Sequence, residues 1–129
     1  MTEHFIRLRG GWTLTLADGE TRHALPSTTL RSQPSGFVLT RPFHAPSGLG
    51  PGDTVALRME QVPGVRRIRL NGRLIFESSA MSELPAELDV TGMLVGRCVL
   101  VLEVGGSDWN APAEGWGHVA VVIRAREGG

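Results

Sequence analysis

The chain has no lysine and no tyrosine, and its only cysteine is Cys98. One cysteine allows no disulfide within the chain, so the fold does not depend on oxidation. His23, His44 and His118 lie far apart, no pair has metal-ligand spacing, and with a single thiol no zinc site is expected. Net charge is also lacking: 13 basic residues, all arginine, offset 13 acidic ones. No overall field therefore draws the chain to nucleic acid or to an anionic membrane. The longest apolar runs, Cys98–Leu102 and Val119–Ile123, are far too short to span a bilayer. Met1–His4 offers neither a basic start nor an apolar stretch of signal type, so a soluble, cytoplasmic protein is expected. A secreted chain trimmed of its signal would read the same. There is no G-x-S-x-G, no P-loop and no dinucleotide fingerprint, and an enzyme is not expected.

What the chain does contain is short β-type runs separated by glycine and proline, 17 and 8 of them among 129 residues. That pattern favours a sandwich or barrel. The length suits one domain, residues 1–129, burying about two-thirds of its unfolded surface. Val55, Leu57 and Met59 alternate with Ala56, Arg58 and Glu60, the period of a half-buried strand. Val65–Leu70 continues in that style, with Ile68 and Leu70 on one face and Arg67 and Arg69 on the other. Asn71-Gly72 then fits a two-residue hairpin turn with positive φ at both positions, and Arg73–Phe76 returns. Glu87–Thr91 is a short strand. Cys98–Leu102 is apolar on both sides and is expected to be a central strand covered on both faces.

Elsewhere, Phe5–Arg9 reads as an edge strand, and Trp12–Leu16 as a strand turning at Asp18-Gly19. Phe37–Phe43 and Val119–Ile123 are further strands. Thr21–Ser35, polar and holding Pro26 and Pro34, reads as one long loop, and Gly105–Gly117 as a second. Ser78–Leu84 has room for one helical turn. Leu57, Ile68, Leu100 and Val121 are expected to meet between two layers.

Five stretches resemble the N-terminal sugar-binding domain of glycoside hydrolase family 2, the β-galactosidase and β-glucuronidase group. They are Val65–Gly72 (VRRIRLNG), Leu88–Gly96 (LDVTGMLVG), Val99–Val104 (VLVLEV), Gly36–Pro46 (GFVLTRPFHAP) and Gly115–Val119 (GWGHV). The resemblance covers roughly residues 36–124. It implies an all-β sandwich of jelly-roll, galactose-binding-domain-like type. It also implies a non-catalytic carbohydrate-binding module, since the family's catalytic carboxylates lie in a separate barrel domain. The alternative is a structural or protein-interaction module without sugar binding, which can also self-associate.

The Gly105–Gly117 loop gathers Asp108, Trp109, Asn110, Glu114 and Trp116. Sugars stack a C–H face on an aromatic ring while carboxylates and amides take the hydroxyls, so Trp109 is the candidate platform and Asp108, Asn110 and Glu114 the candidate hydroxyl partners. Against this, Trp109 and Trp116 can simply cap the core, and for Trp116 its family-like position favours packing. No cofactor is implied; a structural calcium held near Asp18 or Asp53 is a minor expectation. Arg58, Arg67 and Arg69 fall on neighbouring strands and can share an outward face for an anionic partner, or be a solvated face paired with Glu60 and Glu77. Glu77, Glu83, Glu87 and Glu114 can be paired on paper, but no motif selects a glycosidase pair.

Overall fold

The alternating segments become strands in the computed structural model, which describes residues 2–78, 84–105 and 109–125. In chain order they are β1 (Thr2–Arg7), β2 (Trp12–Leu16), β3 (Gly19–His23), β4 (Phe37–His44) and β5 (Thr54–Glu60). After these come β6 (Val65–Leu70), β7 (Arg73–Glu77), β8 (Glu87–Asp89), β9 (Arg97–Val104) and β10 (His118–Ala125). They form two antiparallel sheets, a four-stranded one in the order β1-β10-β5-β8 and a six-stranded one in the order β3-β2-β4-β9-β6-β7. The protein is an all-β sandwich, and among the described residues there is no helix.

The core lies where the inner faces meet. Leu57 and Val121 from one sheet, and Ile68 and Leu100 from the other, are each at most 1% exposed. Trp12 is fully buried at one flank, where its indole N–H donates to the Leu8 carbonyl at 2.8 Å, so the ring's polar atom does not enter the core unpaired. The expected turn forms as read. Asn71 and Gly72 have φ of 53° and 81°, as a type I′ hairpin requires. The Asn71 side chain also accepts the Val99 N–H at 2.9 Å, tying the turn to the neighbouring strand.

The Asp-Val-Thr stretch has a mechanical role. Val90 is buried, Thr91 accepts the Val55 N–H at 2.9 Å through its hydroxyl, and Asp89 accepts the Thr91 N–H at 2.9 Å. Bonds from the Thr91 hydroxyl and N–H hold the Asp89 carboxyl below its ordinary range. The stretch is therefore a clasp fastening the end of β8 to β5.

Three expectations change. Gly19–His23 is a strand, so the long loop starts only after His23; Glu20–Arg22 are all exposed and show no alternation because β3 is an edge. β9 is central, flanked by β4 and β6, but its outer residues Val99 and Val101 are only half-buried, so one face is not covered. Arg58 lies on the four-stranded sheet and Arg67 and Arg69 on the six-stranded one, so they share no face. The helical turn expected over Ser78–Leu84 falls mostly on residues 79–83, outside the described residues. Leu100→Ala should cost about 2–5 kcal/mol, read as a lower denaturation midpoint with an unchanged slope.

Candidate functional site

Two loops lace together at one end of the sandwich. Ser27 and Trp116 exchange backbone hydrogen bonds at 2.9 and 2.7 Å, the Ser32 N–H donates to the Trp109 carbonyl at 3.0 Å, and the Ala111 N–H donates to the Leu30 carbonyl at 2.9 Å. Residues 27–32 and 109–116 thus run as an irregular antiparallel pair, which satisfies backbone groups that a buried loop would otherwise leave unpaired.

The pairing positions an aromatic cluster. Trp109 stacks on Trp116 with ring centroids 6.0 Å apart and 22° between planes, and Phe37 lies 5.9 Å from Trp109 and 6.2 Å from Trp116. Trp116 is fully buried, and its indole N–H donates to the Pro63 carbonyl at 2.9 Å. Trp109 is half-buried, and its indole N–H donates to the Gly105 carbonyl at 2.9 Å. Gly64 leaves the space for this: a Cβ there would sit 2.4 Å from both the Trp109 Nε1 and the Gly105 oxygen. Trp116 therefore packs as its family-like position implied, and Trp109 joins it in sealing the end of the core.

The other residues proposed for sugar binding are dispersed around that seal. Asn110 is exposed and bridges Arg31 through its backbone. Glu114 is exposed, and its carbonyl accepts from the His118 ring at 3.1 Å. Asp108 lies outside the described residues. Of the two calcium candidates, Asp53 accepts the Gly50 N–H at 2.7 Å, while Asp18 sits in the β2–β3 turn. Among the described residues no three His, Cys, Asp or Glu side chains gather as a metal site.

A groove the sequence did not reveal opens on the outer face of the four-stranded sheet. Its volume is about 510 Å³, within the range of ~300–1,000 Å³ usual for small-molecule sites. The register explains its lining. Arg7 on β1 faces Ala120 on β10, which faces Arg58 on β5, while Phe5 faces Val122 and His118 faces Glu60. Leu25 and Pro26, at the start of the first loop, wall one side. A second recess, lined by residues such as Gln33, Arg66 and Glu103, lies against the six-stranded sheet. Trp109, Asn110 and Glu114 line neither.

An ion network crosses the same outer face. Glu87 accepts from Arg124 at 2.7 Å and from Arg58 at 2.5 Å, and Arg124 also reaches Glu3 at 2.5 Å. The Arg58 guanidinium lies 4.9 Å from the centroid of the Phe5 ring. Hydrogen bonds from Arg124 and then Arg58 pull the Glu87 carboxyl down to about 2. On the other sheet Arg67 bridges Glu77 and Glu103, and Arg69 pairs with Glu103. The expected Arg–Glu77 pairing is therefore present, while Glu60 sits apart from it on the other sheet, across from His118.

No protein-family model matches the chain, and no curated protein matches it. Solved structures do. An FMN-binding beta-glucuronidase from Facaelibacterium prausnitzii L2-6 superposes with a TM-score of 0.67 at 19% identity over 95% of this chain. A rhamnosidase from Novosphingobium sp. PP1Y superposes with a TM-score of 0.68 at 16% identity over 96% of it. Both neighbours are glycosidases. The chain spans only 23% and 15% of their lengths, so the likeness is to one domain of each and establishes the fold.

Gly64→Ala should lose at least about 2 kcal/mol, because φ there is +84° and the new methyl meets Trp109. Near-ultraviolet circular dichroism should report the displaced indole. Glu87 has a depressed folded-state pKa, so its contribution is complete above the ordinary value of 4.5 and fades as pH falls from there toward about 2. Glu87→Gln should cost about 1 kcal/mol at neutral pH and flatten the acid limb of the stability–pH curve, measured by urea unfolding.

Proposed function

We propose that the chain is a non-catalytic, carbohydrate-recognising module of the kind that accompanies glycoside-cleaving domains. The main support is its superposition, nearly end to end, on a small fraction of two glycosidase chains. The carboxylates support the non-catalytic part. Glycoside cleavage needs two carboxyl groups facing each other across a cleft, about 5–10 Å apart. Glu77 and Glu87 stand on different sheets, and each is bound to arginine. Glu114 is exposed on the end loop, and Glu83 lies outside the described residues.

A second reading has its own observation. Trp109 is committed to the aromatic seal through stacking and its indole N–H, which favours a structural or protein-interaction module over a sugar platform in that loop. Calorimetric titration with a panel of neutral and acidic oligosaccharides separates the two. Saturable binding at millimolar concentration or tighter, with no hydrolysis of aryl glycosides, is the expected result. No heat with any saccharide would end the carbohydrate reading, and turnover of a glycoside would end the non-catalytic one.

A further inference from the structure

The groove on the four-stranded sheet has a composition that the end loop lacks. Phe5 is 43% exposed, a large share for an aromatic side chain, and it offers an apolar surface in a groove that Pro26 also lines. Arg7 and Arg9 also line the groove, and among the described residues their guanidiniums take part in no ion pair or side-chain hydrogen bond. Arg58 differs: it is neutralised by Glu87, and its guanidinium leans on the Phe5 ring. The Arg58–Glu87–Arg124–Glu3 network balances itself, which leaves Arg7 and Arg9 against Glu60 as the uncompensated charge of the groove. Guanidinium is a planar fork of donors suited to carboxylate or sulfate.

His118 narrows the chemistry. A carbonyl only accepts, so the His118 Nε2 that contacts the Glu114 carbonyl is the donor, and in the neutral ring Nδ1 is left as an acceptor. With the Glu60 carboxylate directly across the strand pair, this corner supplies acceptors, as sugar hydroxyls require. An apolar ring, a pair of free guanidiniums and hydroxyl acceptors together match a saccharide that bears a negative charge. A neutral sugar would leave the arginines unused, and a simple inorganic anion would leave Phe5 unused.

We propose that this groove binds an acidic saccharide, its carboxylate or sulfate on Arg7 and Arg9, its C–H face against Phe5 and its hydroxyls toward Glu60 and His118. The proposal rests on the carbohydrate-recognising reading but assigns the contact to the sheet face and not to the Trp109 loop.

The test is amide-resolved NMR titration of the whole chain with digalacturonate, with a monosulfated disaccharide, and with cellobiose as the neutral control. Shifts centred on β1, β10 and β5 are expected with the acidic ligands, whichever anionic group they carry, and at least tenfold weaker binding for cellobiose. Arg7→Ala/Arg9→Ala should weaken digalacturonate binding at least tenfold, while circular dichroism and melting temperature stay unchanged because both side chains are exposed. Phe5→Ala should weaken both acidic ligands and leave the fold intact. Equal binding of cellobiose, or retention of full affinity in the double arginine variant, would overturn the proposal. Shifts confined to Asn110 and Glu114 would overturn the groove assignment and leave the carbohydrate reading standing. No shift with any saccharide would overturn both.

Discussion

Everything in this molecule depends on two pleated layers being held face to face with little to lock them except apolar contact. No disulfide helps, because there is one cysteine, and Cys98 is itself buried in β9. Burial of aliphatic side chains is non-directional, and alone it tolerates sliding of one layer over the other. Directional bonds at the margins limit that sliding. The Trp12 indole holds the Leu8 carbonyl at one flank, and the Trp116 indole holds the Pro63 carbonyl at the aromatic end. The oily interior supplies the driving force, and a few polar contacts at its rim set the register.

Where alternation is strong, the sequence announces a strand whichever partner it finds, and where two strands are joined by a tight turn it announces their pairing too. Val55–Glu60 and Val65–Leu70 form as their alternation requires, and the Asn71-Gly72 turn pairs β6 with β7. Gly19–His23 was hidden because an edge strand with every residue solvated or nearly so has no inside face to mark it. The arginines misled for a related reason. Proximity in sequence placed Arg58 with Arg67 and Arg69, but the chain crosses to the opposite sheet between β5 and β6. The half-exposed outer face of β9 was unreadable for a third reason: valine is common in strands wherever they lie, since its branched side chain suits the pleat on either face.

The candidate site followed the same division. A loop rich in Trp, Asp, Asn and Glu has the right chemistry for a sugar, yet chemistry in sequence does not say which side chains the fold has already used. Trp109 has spent its indole N–H on Gly105 and one ring face on Trp116. The sheet-face groove draws on Phe5, Arg58, Glu60 and His118, residues separated by most of the chain. No local pattern can reveal such a meeting, because it exists only through the pairing of β1 with β10 and of β10 with β5.

That pairing has a temporal meaning. The opening strand Thr2–Arg7 finds its hydrogen-bonded neighbour only in His118–Ala125, the last strand of the described chain. During synthesis Thr2–Arg7 must wait for this neighbour until His118–Ala125 has emerged. The groove lined by both strands cannot take shape before β10 is made, and a product terminated ahead of His118 would lack it altogether.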